Sequence, residues 1–365
     1  MSELTKHRTG RRIKALREHR RMTQEALSQT LGFADRQTLA SIEAGQRTVA
    51  PAELVAVATA LGTTVADLLD PYRLTEREAA FNFRTAEPVT GDMVRAFEDT
   101  AGRWIATYRE IGWRLGEQSN CLGKKLELGE SASFEEVEAA AEALGEQWSL
   151  GDRPAERLQE AIERELNALV LYVDMPAGVS GAASYMAGLS TIMINRREVR
   201  TRRFFDLAHE LFHLLTWDTM PPRRLEPIEL KRTKGVRVEQ LANTFAATLL
   251  MPARVIKQLW DATLTSDFGI RISRLAARLW VSPEALRFRL HNLGLLAARV
   301  LKEPVPVSLL AGDECPTLFS RRFVSRVRDA VDHGYLSVRR AAGLLGTSLR
   351  EFAQLCEQHD CPLAQ

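Results

Sequence analysis

Four cysteines in 365 residues, at positions 121, 315, 356 and 361, are too few and too scattered for a disulfide framework. That scarcity fits a reducing compartment. Long apolar runs are missing as well. Nothing approaches the roughly 18 residues of a membrane-spanning helix, and the basic N-terminus leads into no apolar core of the kind a secretory signal needs. The expected location is therefore cytoplasmic. A charge excess is also lacking: 49 Lys and Arg stand against 47 Asp and Glu, a net of +2, so the sum says little about partners. Hydrophobic residues at 45% and charged residues at 26% are ordinary for a soluble globular chain, and the length allows two or three domains.

What is there is unevenly distributed. Lys6, Arg8, Arg11, Arg12, Lys14, Arg17, Arg20 and Arg21 crowd the first 21 residues against only Glu3 and Glu18. Residues 9–70 read as five short helices. Thr23 and Asp35 are expected N-caps, Pro51 opens a helix, and Gly32, Gly45 and Gly62 close three of them. The order Thr23-Gln24-Glu25, Leu27, Gly32, Ile42-Glu43-x-Gly45 resembles the helix-turn-helix of Cro and phage-repressor-type regulators, the XRE family. The resemblance covers about 60 residues. It implies that the third helix enters the major groove of double-stranded operator DNA, with Arg36, Gln37, Thr38 and Ser41 facing base edges and Gln24 and Arg47 near phosphates. Such domains usually read DNA as pairs, so a homodimer is one expectation, with the oligomeric state left open. Ala40 stands where that family often has a polar residue.

Residues 73–90 read as a linker, with Phe81-Asn-Phe83 as one short strand. Between 91 and 167, Val94, Phe97, Ala101, Trp104, Ile105, Tyr108, Ile111 and Leu115 recur at three- and four-residue steps. That is a buried helix face rather than an aromatic cofactor box. Leu169–Val173 and Ser190–Asn195 then read as strands. The second, placed before five arginines and a helix, is expected at a sheet edge, where it can align an extended peptide by backbone pairing.

The chemistry concentrates in Phe204-Phe-Asp-Leu-Ala-His209-Glu210-Leu-Phe-His213. Histidines four apart share one helix face, can place two nitrogens on one zinc ion, and leave Glu210 beside it to act on a water. A catalytic site needs a third ligand. No histidine follows at the short spacing, and Thr216 stands where that longer motif has glycine. Glu239 and Asn243 lie 26 and 30 residues after His213, four apart on a second helix. Glu239 can therefore ligate while Asn243 supports a ligating histidine. "RRFFDLAHELFHLL" followed by "EQLANTFAATLLMP" resembles the ImmA/IrrE family of bacterial zinc metallopeptidases over roughly residues 160–260. Matched by position, that resemblance makes His209, His213 and Glu239 the zinc ligands and Glu210 the general base, in the order of gluzincin sites. Phe212 departs from it, standing where the family usually has glycine. Tyr185 and His291 are conceivable oxyanion donors, with an ordinary structural role favoured for both.

Beyond 260, residues 272–294 and 323–357 each read as helix, turn, helix. Cys356-x-x-His359-x-Cys361 has a spacing that can bind metal, but surface residues on a polar tail are the expected reading. The chain as a whole reads as multidomain, mainly α with a small β-sheet. The expected order is a five-helix helix-turn-helix domain (1–72), a linker (73–90), a gluzincin-like α+β metallopeptidase (91–262, with a helical lead-in to 167), a helical subdomain (263–303) and a C-terminal helical region (304–365). The implied activity is zinc-dependent endopeptidase action on an XRE-type repressor or antitoxin, which would derepress stress or mobile-element genes. The competing class is a non-enzymatic regulator whose zinc domain senses a ligand or partner; Glu210 argues against it, because a purely structural site needs no base.

Overall fold

The computed structural model describes residues 3–74, 80–85, 91–117, 125–186, 188–221, 235–263, 267–304 and 314–364. Cys121 lies outside them. Among the described residues the chain is mainly helical, with one four-stranded sheet.

The N-terminal domain comprises α1 (Glu3–His19), α2 (Gln24–Thr30), α3 (Arg36–Glu43), α4 (Pro51–Ala60) and α5 (Val65–Leu69). Short helices need their ends satisfied, and here side chains do it. Thr23, Asp35 and Thr64 accept the N–H groups of Ala26, Thr38 and Asp67, while the Glu53 carboxylate accepts from Ala50. Ile13, Leu16, Leu27, Leu39, Ile42, Val57 and Leu61 form its own core. Gly10 lets α1 cross α3 closely: a Cβ there would sit 2.1 Å from the Ile42 carbonyl oxygen. The domain is joined to α6 (Gly91–Arg114) by a buried ion pair, Arg8 Nη1 to Glu110 Oε2 at 2.7 Å.

The sheet holds β1 (Ala80–Thr85), β2 (Leu169–Val173), β3 (Val179–Met186) and β4 (Leu189–Asn195), in the spatial order β1-β3-β4-β2. β1/β3 and β3/β4 are antiparallel and β2/β4 is parallel. One expectation is extended here and one corrected. The short strand expected at Phe81–Phe83, within the span read as a linker, runs over residues 80–85 and joins the sheet. β4 is not an edge: it pairs on both sides and all seven of its residues are buried, so it cannot align a peptide. Local pattern announces a strand but not its neighbours, and β4 is enclosed because β2 and β3 both reach it from elsewhere in the chain.

Each face of the sheet carries its own helices. On one, α9 (Arg200–Leu215) lies against β3 and β4 with α8 (Pro154–Glu165) and α10 (Gly235–Leu250) packed beside it. The core there joins Val170, Ile192 and Ile194 to Leu207, Leu211 and Phe245. It extends through α7 (Phe134–Gln147) and α11 (Ala253–Ala262) to Ile272, Leu275, Leu286 and Leu290 of α12 (Phe268–Leu279) and α13 (Pro283–Asn292). On the other face, Leu169, Leu171 and Met193 meet the aromatic stripe of α6 and the C-terminal α14 (Arg321–Asp332), α15 (Val338–Leu345) and α16 (Leu349–Gln358). Trp104 packs edge-on against Phe319, with ring centroids 5.0 Å apart. The C-terminal helices thus cover this second face of the sheet.

The polar-tail reading of residues 356–361 is also corrected. Cys356 and Cys361 are buried in that second core, because α16 turns Phe352, Leu355 and Cys356 inward. Burial pushes the Cys356 thiol up to about 12, and the neighbouring Cys361 adds to the shift. His359 Nε2 meets the Leu318 carbonyl at 3.0 Å. Among the described residues, no helix is long and apolar enough to cross a membrane.

Candidate metal centre

α9 is amphipathic at its start and enclosed at its end: from Asp206 to Leu215 every residue is buried. Such a helix can carry polar side chains inward only if they find partners. His209 and His213, one turn apart, face each other with Nε2 atoms 3.1 Å apart. Glu239, in the first turn of α10, completes a triangle. Its Oε2 is 3.2 Å from His209 Nε2 and its Oε1 3.4 Å from His213 Nε2. A tetrahedral cation held at about 2.0–2.1 Å by each ligand requires ligand atoms about 3.3 Å from one another. The three spacings meet that requirement. Among the described residues this is the one group of three or more such side chains able to hold a metal ion.

The electrostatics agree with a ligand set. Burial is the main force lowering His209, down to about 3, against the opposing pull of Glu239, so its imidazole is neutral, the form that ligates. Burial works to raise Glu239, but hydrogen bonds and charge from His209 and His213 outweigh it and hold that carboxylate well below its ordinary range. The histidine side chains are 1% and 3% exposed, whereas that of Glu239 is 38% exposed. Among the described residues the triangle is thus walled by α9 and reaches solvent through Glu239 on α10.

Asn243, one turn beyond Glu239, places Oδ1 3.1 Å from His209 Nδ1. A side-chain carbonyl there fixes the tautomer that leaves Nε2 free toward the cation. Glu210 is wholly buried, and among the described residues neither carboxylate oxygen has a side-chain hydrogen-bond partner. Burial holds it well above the usual carboxylate range; Glu239 and Asp206 push the same way, while Arg84 and the backbone N–H of Ala183 oppose them. A buried carboxylate with so few partners is a costly arrangement for a folded core.

Three residues of this site were not among those the sequence singled out. Gly181 of β3 faces Glu210: a Cβ on it would lie 3.2 Å from Glu210 Oε1. Asp206, fully buried one turn before Glu210, pairs with Arg84 at 2.5 Å and Arg202 at 3.1 Å. Arg84 of β1 also donates to Asn243 Oδ1 at 3.4 Å. Asp206 had a signal, its place in the motif helix; Arg84 and Gly181 had none, being tied to the site only through the sheet. Phe212, the departure from the family pattern, is absorbed: its ring is buried 5.4 Å from that of Phe245 and helps dock α9 on α10. Of the two conceivable oxyanion donors, His291 contacts the Leu296 carbonyl through Nδ1 at 2.9 Å, and Tyr185 packs on Trp217 at 5.7 Å.

In the N-terminal domain, Arg36 and Gln37 are exposed on the first turn of α3. Thr38 and Ser41 are half-buried; Thr38 Oγ1 donates to Asp35 and Ser41 Oγ to the carbonyls of Gln37 and Thr38. Gln24 and Arg47, placed near phosphates by the resemblance, have partners within the protein. Gln24 Nε2 donates to Glu43 at 2.8 Å, beside Arg17, and Arg47 pairs with Glu53 at 2.7 Å.

Comparison with known proteins follows the same division. Residues 13–68 match the helix-turn-helix family model, and residues 163–291 match that of the IrrE N-terminal-like domain, peptidase family M78. The second match runs past residue 262 into α12 and α13, whose apolar residues share the core of α9 and α10. No curated protein matches the chain. Among solved structures, the apo form of the competence regulator ComR from Streptococcus vestibularis is 12% identical, with 98% of this chain and 97% of that chain covered and a TM-score of 0.17. PlcR from Bacillus thuringiensis, in complex with the peptide PapR7 and DNA, is 11% identical, with 97% of each chain covered and a TM-score of 0.18. At that level of superposition neither the fold nor the function of this chain follows from theirs. From N- to C-terminus, the chain thus carries a segment that matches the XRE-type helix-turn-helix model followed by one that matches the IrrE/ImmA-like peptidase model.

Proposed function

We propose that this protein is a DNA-binding transcriptional regulator with zinc-dependent endopeptidase activity, and that it cleaves a repressor or antitoxin of the XRE type to derepress stress or mobile-element genes. One observation carries the enzymatic half: three candidate ligand atoms of His209, His213 and Glu239 lie 3.1–3.4 Å apart, with the buried carboxylate of Glu210 on the same helix as the two histidines. Two imidazoles and a carboxylate with an open fourth position are the donor set of catalytic zinc. The chemistry that a bound zinc ion supplies is Lewis-acid polarisation of the scissile carbonyl and acidification of a water. Glu210 accepts the proton of the attacking water and returns it to the leaving amine. Asn243 holds the His209 ring in its ligating orientation.

The DNA-binding half rests on the helix-turn-helix match and the exposed start of α3. Fusion places the peptidase at the operator where its substrate also binds, which raises the effective concentration of one for the other. Binding of double-stranded operator DNA as a homodimer follows from the way such domains read paired half-sites. The test is incubation of the zinc-loaded chain with the repressor encoded beside it, followed by mass spectrometry. Cleavage is expected, and Glu210→Gln should retain stoichiometric zinc while slowing it by at least about a hundredfold. Equal proteolysis by mutant and wild type sinks the assignment.

A further inference from the structure

The strand nearest the candidate base is β3, where Gly181 closes on Glu210. One edge of β3 is taken by β4; the other is taken by β1, which arrives from the segment after the DNA-binding domain. Register runs antiparallel from Ala80↔Tyr185 through Asn82↔Ala183 to Arg84↔Gly181. Residues directly opposed in an antiparallel pair share a face. Asn82 and Arg84 therefore lie on the face where Gly181 meets Glu210, while Phe83 takes the other face and packs against Phe97.

What Arg84 touches on that face is a fitted surface. Its guanidinium donates to the fully buried carboxylate of Asp206 at 2.5 Å, reaches Asn243 Oδ1 at 3.4 Å and lies over the Phe205 ring, 5.4 Å from its centroid. A planar cation with forked donors satisfies an acid, a carbonyl and an aromatic face together, and an ammonium does so less well. Asn243 is also the partner of His209, so this surface adjoins the metal ligands.

Adding one extended segment to a free strand edge is a general mode of peptide capture, with backbone pairing giving affinity and alternate side chains giving specificity. We infer that the outer edge of β3 is the peptide-binding edge of this centre, that Asp206, Asn243 and Phe205 form its subsite for an arginine side chain, and that residues 80–85 fill both in cis. The inference deepens the peptidase reading and rests on it for the claim that the edge serves catalysis. A substrate must then be extended, carry arginine at the position that Arg84 now takes, and displace β1. As a tethered occupant, β1 lowers the apparent affinity by the fraction of time the edge is free.

The test measures binding in a full-length, zinc-loaded chain carrying Glu210→Gln, so that no cleavage intervenes. The probe is a fluorescein-labelled hexapeptide of residues 80–85, AFNFRT, followed by anisotropy. β1 is locked by a disulfide from Phe81→Cys with Ser184→Cys, an opposed pair, and weakened by Arg84→Ala. The weakened chain should bind the probe at least about tenfold more tightly than the locked one. In the weakened chain, the same hexapeptide with alanine in place of arginine should bind about tenfold less tightly. Reduction of the disulfide should restore binding to the level of the chain with native β1. Equal affinity in locked and weakened chains, or no preference for arginine, overturns the inference. Binding does not depend on turnover, so a wild-type chain that cleaves nothing refutes the peptidase reading and leaves this result intact.

Discussion

Gly181→Ala separates the folding role of β3 from its role at the site. The new Cβ would stand 3.2 Å from Glu210 Oε1, 3.3 Å from Glu210 Cγ and 3.5 Å from the Met193 carbonyl oxygen. The backbone contact is ordinary, so the sheet need not move. The tight contacts are with a side chain, and that side chain must give by a few tenths of an ångström. Two terms then compete in stability. Overpacking costs about 1–3 kcal/mol, at the low end here because the tight neighbours are side-chain atoms rather than backbone. Replacing a strand glycine by alanine returns about 0.5–1 kcal/mol of backbone entropy. The two nearly cancel, and urea denaturation should find stability within about 1 kcal/mol of wild type. Metal content should be unchanged, since neither residue is a ligand. Catalysis has no such compensation. A misplacement of about 1 Å can cost a hundredfold, so a shift of a few tenths should slow cleavage by about three- to tenfold. Unchanged cleavage at unchanged stability would refute the placement of Glu210 against β3.

Two further outcomes follow from the same packing. Phe212→Ala removes a fully buried ring from the α9–α10 contact and should cost about 3–5 kcal/mol in urea denaturation, with weaker zinc retention because His213 loses a neighbour 6.0 Å away; a loss below about 1 kcal/mol would contradict the packing. Iodoacetamide at pH 8 should label exposed Cys315 in the folded chain and spare Cys356 and Cys361, since burial keeps the Cys356 thiol protonated far above that pH; peptide mapping that finds Cys356 labelled as fast as Cys315 would refute its burial.

The sequence alone determined the local parts. The capping residues of the N-terminal helices, the apolar stripe of α6, and the spacing of His209, Glu210, His213, Glu239 and Asn243 are written in periods of three and four residues. A helix carries such spacing into space with little help, and for that reason the sequence could place His209 and His213 on one helix face and Glu239 on a second helix. Nonlocal pairing was not legible. Nothing in Ser190–Asn195 says that it has neighbours on both sides, and nothing in residues 80–85 says that they pair with β3 a hundred residues later. Burial of Cys356 depends on where the C-terminal helices dock, on the sheet face where Trp104 of α6 packs against Phe319. The tertiary structure therefore decided what the motif itself leaves open: that Glu210 is enclosed, that Gly181 makes room for it, and that Arg84 reaches Asp206 and Asn243. Those contacts join segments far apart in sequence, and only packing against a common core can bring them together.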